Sequence, residues 1–269
     1  MTGMAERGWP WPLLVVTGSV LAFVGLAEEV VEREGIVLDV ARIPVAAMPR
    51  PLGLLMTFFT LAGGGVGALL IVAGISAVLL SRRRFHDTVF LVTAFQGARL
   101  IGLALKETFS RPRPDTLSGA ASTLPVGHEL VLAVLVGIVV LLGLFTRRRQ
   151  VALLLAGTFA VAVAVDRVAK WSLGGVGGHD SFPSGHAVTS MALVAALLVL
   201  AWPMRWRWAA TAAGALFVTG VGFSRLYFGF HYPSDVLGGW CLALAWVAGV
   251  WLLFHTPALA SRQPPSIEL

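Results

Sequence analysis

Long apolar runs alternate with short polar segments along most of the chain. Each apolar run is close to the ~20 residues that a helix needs to cross roughly 30 Å of hydrocarbon. The pattern therefore predicts an all-α protein, a polytopic transmembrane helical bundle of about eight spans. The expected spans are residues 11–27, 57–80, 88–105, 129–146, 151–169, 187–203, 208–223 and 236–254.

The composition agrees with a membrane protein. Of the 269 residues, 57% are hydrophobic and 13% are charged, whereas soluble domains carry roughly 25% charged residues. The net charge of +6 does not indicate nucleic-acid binding, because the basic residues lie between apolar spans, where they fit topology signals and anion contacts. The single cysteine, Cys241, cannot form an intrachain disulfide. We treat residues 1–269 as one integral membrane domain.

Arginine clusters at span ends predict the orientation in the membrane. They are residues 82–84, residues 147–149 and the pair Arg205 and Arg207. The positive-inside rule makes these clusters cytoplasmic, and both termini with them. The other connections, expected on the extracytoplasmic side, are residues 28–56, 106–128, 170–186 and 224–235. Within the first of these, residues 36–48 fit a surface helix and a loop equally well.

Three polar motifs fall in these expected outer connections. Their members are Lys106, Arg113 and Pro114; Pro183, Ser184, Gly185 and His186; and Ser224, Arg225, His231 and Asp235. Lysine and arginine offset the charge of a phosphate group, and the arginine fork can bind two of its oxygens. A glycine allows close backbone approach, and a helix beginning near the second motif would favour an anion. The motifs therefore predict a shared phosphate site.

Together the motifs resemble those of the type 2 phosphatidic acid phosphatase superfamily, which also includes vanadium haloperoxidases. The pattern K-x6-R-P, P-S-G-H and S-R-x5-H-x3-D is matched at every specified position. The resemblance covers most of residues 57–254, the expected phosphatase-like core, and implies a six-span bundle to which this chain adds two spans. No cofactor is expected, and the sequence has no carboxylate or cysteine cluster typical of a metal site.

The resemblance also implies roles for individual residues. His231 is the expected nucleophile, which would form a phosphohistidine, and Asp235 would fix its tautomer. His186 is the expected general acid, and later the base that activates water. The expected phosphate-binding residues are Lys106, Arg113, Ser184, Gly185 and Arg225. Arg111 lies outside the pattern and is interpreted as a headgroup or loop contact.

The spacing of the first two motifs departs from the family pattern. Two apparent spans separate them, and residues 125–170 are interpreted as an inserted or duplicated two-span unit. Residues 125–128 of this unit resemble the second motif, and His128 to Arg167 has the same separation as His186 to Arg225, although chance explains the match equally well. The first motif is expected to pair with His186 and His231, and Lys170 and Arg167 are the alternative cations.

Arg99 and Gln96 lie inside the third expected span. An arginine within the membrane is costly, so a functional role is the default hypothesis. A deep contact to phosphate or headgroup is one interpretation. An interhelical pair, for example with Asp166, is slightly favoured over it.

The sequence therefore predicts a metal-independent phosphatase in a bacterial plasma membrane, with its site on the extracytoplasmic face. Candidate substrates are polyprenyl diphosphate, phosphatidic acid and phosphatidylglycerol phosphate, whose tails would stay in the bilayer. A lipid phosphotransferase using the same phosphohistidine is an alternative. A non-catalytic lipid-binding or transport protein is disfavoured by the intact His231 and Asp235, and a haloperoxidase by the many spans.

Overall fold

The computed structural model describes residues 11–32, 39, 50–114 and 180–255. Within these ranges the fold is helical, which confirms the all-α prediction. The helices are α1 (Trp11–Glu32), α2 (Arg50–Gly63), α3 (Gly65–Ser81), α4 (Phe85–Phe109), α5 (Gly185–Ala201), α6 (Arg207–Tyr227) and α7 (Pro233–His255). The expected spans at 129–146 and 151–169, and with them the proposed insertion, lie outside the described residues. The count of eight spans therefore stays a prediction.

Four of these helices are long and apolar enough to cross a bilayer. They are Trp11–Glu32, Phe85–Lys106, Arg207–Tyr227 and Pro233–Phe254. Each coincides with an expected span to within a few residues at its ends. Helix α5 has 17 residues and is slightly shorter, and it matches the expected span at 187–203.

The expected span at 57–80 is not one continuous helix. Helices α2 and α3 meet at Gly64 with a bend of 53°. Gly64 has an extended backbone, with φ −71° and ψ 166°, so the helical hydrogen bonding is interrupted there. Three consecutive glycines, residues 63–65, occupy the break, and glycine is a poor residue for a helix interior. The prediction of an uninterrupted span is therefore wrong at this point, because hydropathy alone does not detect the break.

The hydrophobic core lies where α3, α4, α5 and α7 pack together. Its fully buried members include Ala68, Leu91, Ala94, Phe95, Ala98, Ala192, Ala196 and Ala243. The many alanines allow the helix backbones to approach closely, as is common between membrane helices. Leu54 and Leu216 remain 76% and 68% exposed, which is consistent with helix faces that contact lipid.

Four helix ends meet at one end of the bundle. They are the C-terminal ends of α4 and α6 and the N-terminal ends of α5 and α7, joined by contacts such as Lys106 to Asp180 and Ser184 to Asp235. The three polar motifs are located at these four ends. They therefore share one end of the bundle, as a site composed of all three requires.

Candidate active site

The first motif is held against the segment that precedes the second. Helix α4 ends at Phe109, and the left-handed backbone of the next residue, Ser110 (φ 40°, ψ 42°), turns the chain. Pro112 then pairs with Asp180 in an isolated antiparallel bridge, and the Ser181 amide donates to the Arg111 carbonyl at 2.7 Å. The Lys106 ammonium donates to the Asp180 carbonyl at 2.8 Å. These bonds bring Lys106 to the second motif despite the long intervening sequence.

The second motif forms the N-terminus of α5. Ser184 is the residue before the helix, and its backbone amide donates to the Asp235 carbonyl at 2.9 Å. The Ser184 hydroxyl is buried and, among the described residues, has no hydrogen-bond partner. A Cβ atom on Gly185 would have no atom of the described residues within 4 Å, so these residues leave open space beside its backbone. An unpaired donor and a helix N-terminus next to open space suit a phosphate oxygen.

The third motif spans the turn between α6 and α7. Arg225 lies in the last turn of α6 and is 5% exposed. Gly229 has a positive φ of 65°, which favours glycine, and it directs the chain back so that the Phe230 amide donates to the Arg225 carbonyl at 3.0 Å. The Phe230 ring centroid is 4.4 Å from the Arg225 guanidinium and 5.9 Å from that of Arg113. One aromatic ring therefore contacts cations from the first and third motifs.

His231 and Asp235 face each other across the start of α7. Pro233 is the first residue of this helix, a position that tolerates proline because its missing N–H would have no helical partner. Asp235 Oδ2 accepts the Tyr232 amide at 2.8 Å, as a carboxylate in a capping box does. His231 Nδ1 is 3.4 Å from the same oxygen, so the contact is electrostatic and slightly long for a hydrogen bond. The proline thus does not prevent the expected pairing.

Burial controls the protonation of His231. The side chain is 3% exposed, and this desolvation lowers its pKa from 6.5 to about 4, although Asp235 acts to raise it. The positive charges of Arg225 and Lys106 also favour the neutral form. A neutral imidazole at neutral pH is the form that can act as a nucleophile.

His186 lies in the first turn of α5 within the same charged cluster. It interacts electrostatically with Arg225, His231, Lys106 and Arg113. All the expected catalytic and cationic residues outside the undescribed segments are therefore gathered at one place. Lys170, Arg167 and His128, the alternatives from the inserted unit, lie outside the described residues.

Residues at the break between α2 and α3 also line the site, which the motif spacing did not predict. The Thr60 hydroxyl donates to Ser224 Oγ at 2.9 Å, and Arg225 Nη1 is 3.4 Å from the same hydroxyl. A Cβ atom on Gly64 would lie 2.9 Å from His186 Nε2. The three consecutive glycines were the available signal, since they mark a break at which backbone can approach another group closely.

Arg111, interpreted from the sequence as a headgroup or loop contact, lies between two carboxylates, that of Asp39 in the expected outer connection at 28–56 and that of Asp235 in α7. Its Nη1 donates to Asp235 Oδ1 at 2.7 Å and to Ser234 Oγ at 2.8 Å, and its Nη2 donates to Asp39 Oδ2 at 2.7 Å. Burial alone would lower the pKa of Arg111, but the hydrogen bonds and charges of Asp39 and Asp235 raise it. No local pattern in the sequence pointed to this contact, because the partners of Arg111 come from two segments that are both distant from it in sequence.

The Arg99 side chain bonds to a residue of its own helix, α4, and lies near the break between α2 and α3. Its Nη1 donates to Gln96 Oε1 at 3.2 Å, and a Cβ atom on Gly65 would lie 3.5 Å from its Nη2. Asp166, its expected partner, is outside the described residues. Among the residues that the structure describes, no group of three or more histidine, cysteine, aspartate or glutamate side chains is arranged to hold a metal ion.

Apolar helices long enough to cross a bilayer and a buried cluster of histidines, cations and one aspartate fit the class of integral membrane phosphatases. Comparison with known families agrees with this class. The chain belongs to the PAP2 superfamily, whose family model matches residues 87–258.

Two known proteins show the extent of the similarity. The chain is 29% identical over 139 residues to an undecaprenyl-diphosphatase from Sulfolobus acidocaldarius, a match that covers 46% of this chain and 62% of that relative. The crystal structure of a transmembrane PAP2-type phosphatidylglycerolphosphate phosphatase from Bacillus subtilis superposes with a TM-score of 0.55. That match covers 96% of this chain and 100% of the other at 17% identity, and it supports the fold.

Proposed function

We propose that this protein is a membrane phosphatase that hydrolyses the phosphate or diphosphate ester of a lipid through a phosphohistidine at His231. One observation supports the proposal above all. A buried histidine with a pKa of about 4 faces Asp235 at 3.4 Å, within a cluster that also holds His186 and the cations Lys106, Arg113 and Arg225. This combination provides a neutral nucleophile, a second proton-transfer group and positive charge for a phosphate.

In the proposed first half-reaction, His231 Nε2 attacks phosphorus because Nδ1 is directed toward Asp235. A P–N bond forms as the bond between phosphorus and the leaving oxygen breaks. Asp235 stabilises the imidazole as it gains positive charge. His186, which is protonated once the phosphate anion occupies the site, donates that extra proton to the leaving oxygen. The lipid alcohol or lipid monophosphate then leaves with this oxygen protonated, and His186 becomes neutral.

In the second half-reaction His186 works as a base. It takes a proton from a water molecule, and the hydroxide oxygen attacks the phosphohistidine. The P–N bond then breaks, inorganic phosphate leaves, and His231 returns to its neutral form. Both His186 and His231 are thereby restored to their starting protonation states.

The positive groups would stabilise the equatorial oxygens of the transition state. Lys106 and Arg225 are each 5% exposed, and in such a poorly hydrated site their charges act more strongly than in water. The buried Ser184 hydroxyl, which has no partner within the described part of the chain, and the space beside Gly185 offer two neutral contacts. We propose that these groups are sufficient without a metal ion, and a chelator such as EDTA should leave the activity unchanged.

The proposed substrate is a lipid phosphate, and polyprenyl diphosphate is the first candidate. The site lies at the end of the bundle, so a headgroup could enter it while the tails remain beside the apolar outer helix faces. The names of the two similar proteins, an undecaprenyl-diphosphatase and a phosphatidylglycerolphosphate phosphatase, support this substrate class. The arginine clusters at residues 82–84 and at 205 and 207 favour cytoplasmic termini and an extracytoplasmic site.

The direct test is phosphate release by the purified protein in detergent. Polyprenyl diphosphate, phosphatidic acid and phosphatidylglycerol phosphate are supplied separately, with His231→Gln as the matched control. Wild type should release phosphate from at least one lipid, and the variant at least ~10³-fold more slowly, because removal of a nucleophile leaves only the binding groups. Absence of release from all three lipids, or equal release by the variant, would contradict the proposal.

A further inference from the structure

The Arg111 guanidinium joins two carboxylates that come from distant parts of the chain. Nη1 reaches Asp235 and Nη2 reaches Asp39, each at 2.7 Å. The Asp235 side chain is fully buried, and those of Asp39 and Arg111 are only 9% and 15% exposed. Short ion pairs with these burials are held in place far more firmly than ion pairs at a protein surface.

Ser234 completes the network from the other side. Its backbone amide donates to Asp39 Oδ1 at 3.1 Å, and its hydroxyl donates to Asp39 Oδ2 at 2.7 Å. The same hydroxyl accepts from Arg111 Nη1 at 2.8 Å. Asp39 therefore anchors both the arginine and the first turn of α7, in which Asp235 lies.

The two oxygens of Asp235 have different partners. Oδ1 accepts from Arg111, whereas Oδ2 accepts the Tyr232 amide and faces His231 Nδ1. Arg111 and the Tyr232 amide thus hold the rotation of the carboxylate from opposite oxygens, and this rotation decides which oxygen is presented to the imidazole. Groups that orient the partner of a reactive histidine also fix its tautomer.

A direct contact between Arg111 and a bound phosphate is a poor alternative. Both of its Nη atoms are directed at carboxylates, and the flat face of the guanidinium lies 4.1 Å from the Tyr232 ring centroid. A phosphate would have to displace two negative charges from it. Arg113 and Arg225 differ, because both lie beside Phe230 and both interact with His186.

We propose that Arg111, anchored by Asp39, is a positioning residue that orients Asp235 and thereby holds His231 with its proton on Nδ1 and its Nε2 free to attack. The inference rests on the proposed function for its catalytic consequence. Its structural part concerns only the tautomer and orientation of His231.

The kinetic test compares Arg111→Gln, Arg111→Lys and Asp39→Asn with wild type on the lipid that wild type hydrolyses. We expect kcat to fall roughly 10- to 100-fold for both Arg111 variants, as for other groups that orient a reactive side chain, with KM changed less than about threefold. Lysine should not restore kcat, because one ammonium cannot replace a fork that joins two carboxylates. Arg84→Gln, an exposed change at the opposite end of α4, is the matched control and should be unaffected.

Asp39→Asn keeps the shape of the side chain and removes only its charge, so this variant still tests the inference if the Arg111 variants do not fold. It should lower kcat less than Arg111→Gln does. Addition of Asp39→Asn to Arg111→Lys should cost little more than Arg111→Lys alone, since the two residues act through one contact. Unchanged kcat in all folded variants would overturn the inference. A raised KM with normal kcat would overturn it as well, because that result identifies a substrate contact.

A second readout does not require activity. In ¹⁵N-histidine NMR spectra of the detergent-solubilised protein, the His231 signal, identified by its loss in His231→Gln, should show the Nδ1–H tautomer in wild type. It should become a mixture of tautomers in Arg111→Gln. An inactive wild type would contradict the proposed function alone. An active wild type whose tautomer and kcat survive in Arg111→Gln and Asp39→Asn would contradict this inference alone.

Discussion

Gly64 lies directly against His186 at the break between α2 and α3. A methyl group on Gly64 would be 2.9 Å from His186 Nε2 and 2.8 Å from the Thr60 carbonyl oxygen. Both distances are shorter than normal carbon contacts. The backbone of Gly64, with φ −71°, would accept an alanine, so the constraint is the space between the His186 imidazole and the Thr60 carbonyl.

Gly64→Ala should therefore reduce catalysis by displacing His186. We expect kcat to fall roughly tenfold or more, since a misplacement of about 1 Å can cost 10²-fold. Steady-state phosphate release measures the effect. Gly249→Ala in α7 is the matched control, because a Cβ atom there would have no neighbour within 4 Å in the part of the chain that the structure describes. Equal activity of the two variants would show that the break does not limit the position of His186.

Lys106 should be required although its motif is far from the second motif in sequence. Its ammonium bonds to the Asp180 carbonyl at 2.8 Å and contributes positive charge to the cluster around His186. Lys106→Ala and Arg113→Ala should each lower kcat/KM roughly 10²- to 10³-fold, the scale for removal of one group that stabilises a transition state. Lys170→Ala should retain activity. If the Lys106 and Arg113 variants kept full activity and Lys170→Ala lost it, Lys170 would replace them as the phosphate-binding cation.

The helices and the motif segments were predictable because each depends on neighbouring residues. Helices α1, α4, α6 and α7 follow from runs of apolar residues, and the motifs around His186 and His231 follow from short, specific spacings. The contacts that were missed join distant positions. Arg111 and Asp235 are 124 residues apart, and Thr60 and Ser224 are 164 apart. Hydropathy and spacing carry no information on which side chains meet across such separations.

Phe230 should support the cationic side of the site. Its ring lies 4.4 Å from the Arg225 guanidinium and 5.9 Å from that of Arg113. Phe230→Leu removes a cation–π contact of about 0.5–2 kcal/mol, so we expect KM to rise roughly 3- to 30-fold with a smaller change in kcat. Phe58→Leu is the matched control, because Phe58 is 59% exposed on an outer helix face. A Phe230 variant with wild-type KM would show that the ring does not position the arginines.

The buried, neutral His231 should make the folded protein sensitive to mild acid. Its pKa is lowered from 6.5 to about 4, so between these values the unfolded chain binds a proton that the folded protein does not. The contribution of neutral His231 to the free energy of unfolding is therefore fully present above pH 6.5 and is lost as the pH falls toward 4. Because a shift of one pKa unit corresponds to ~1.4 kcal/mol, the free energy of unfolding should fall by roughly 2 kcal/mol between pH 7 and pH 5.

His231→Gln removes the titrating group and should be less sensitive to the same change in pH. Thermal unfolding in detergent at pH 7 and pH 5 measures the difference, with His86→Gln as the control at a histidine outside the cluster. Wild type and the control should lose more stability than His231→Gln on acidification. An equal loss of stability in all three proteins would mean that burial does not hold His231 neutral. A base would then have to remove the proton from Nε2 before this nitrogen could attack phosphorus.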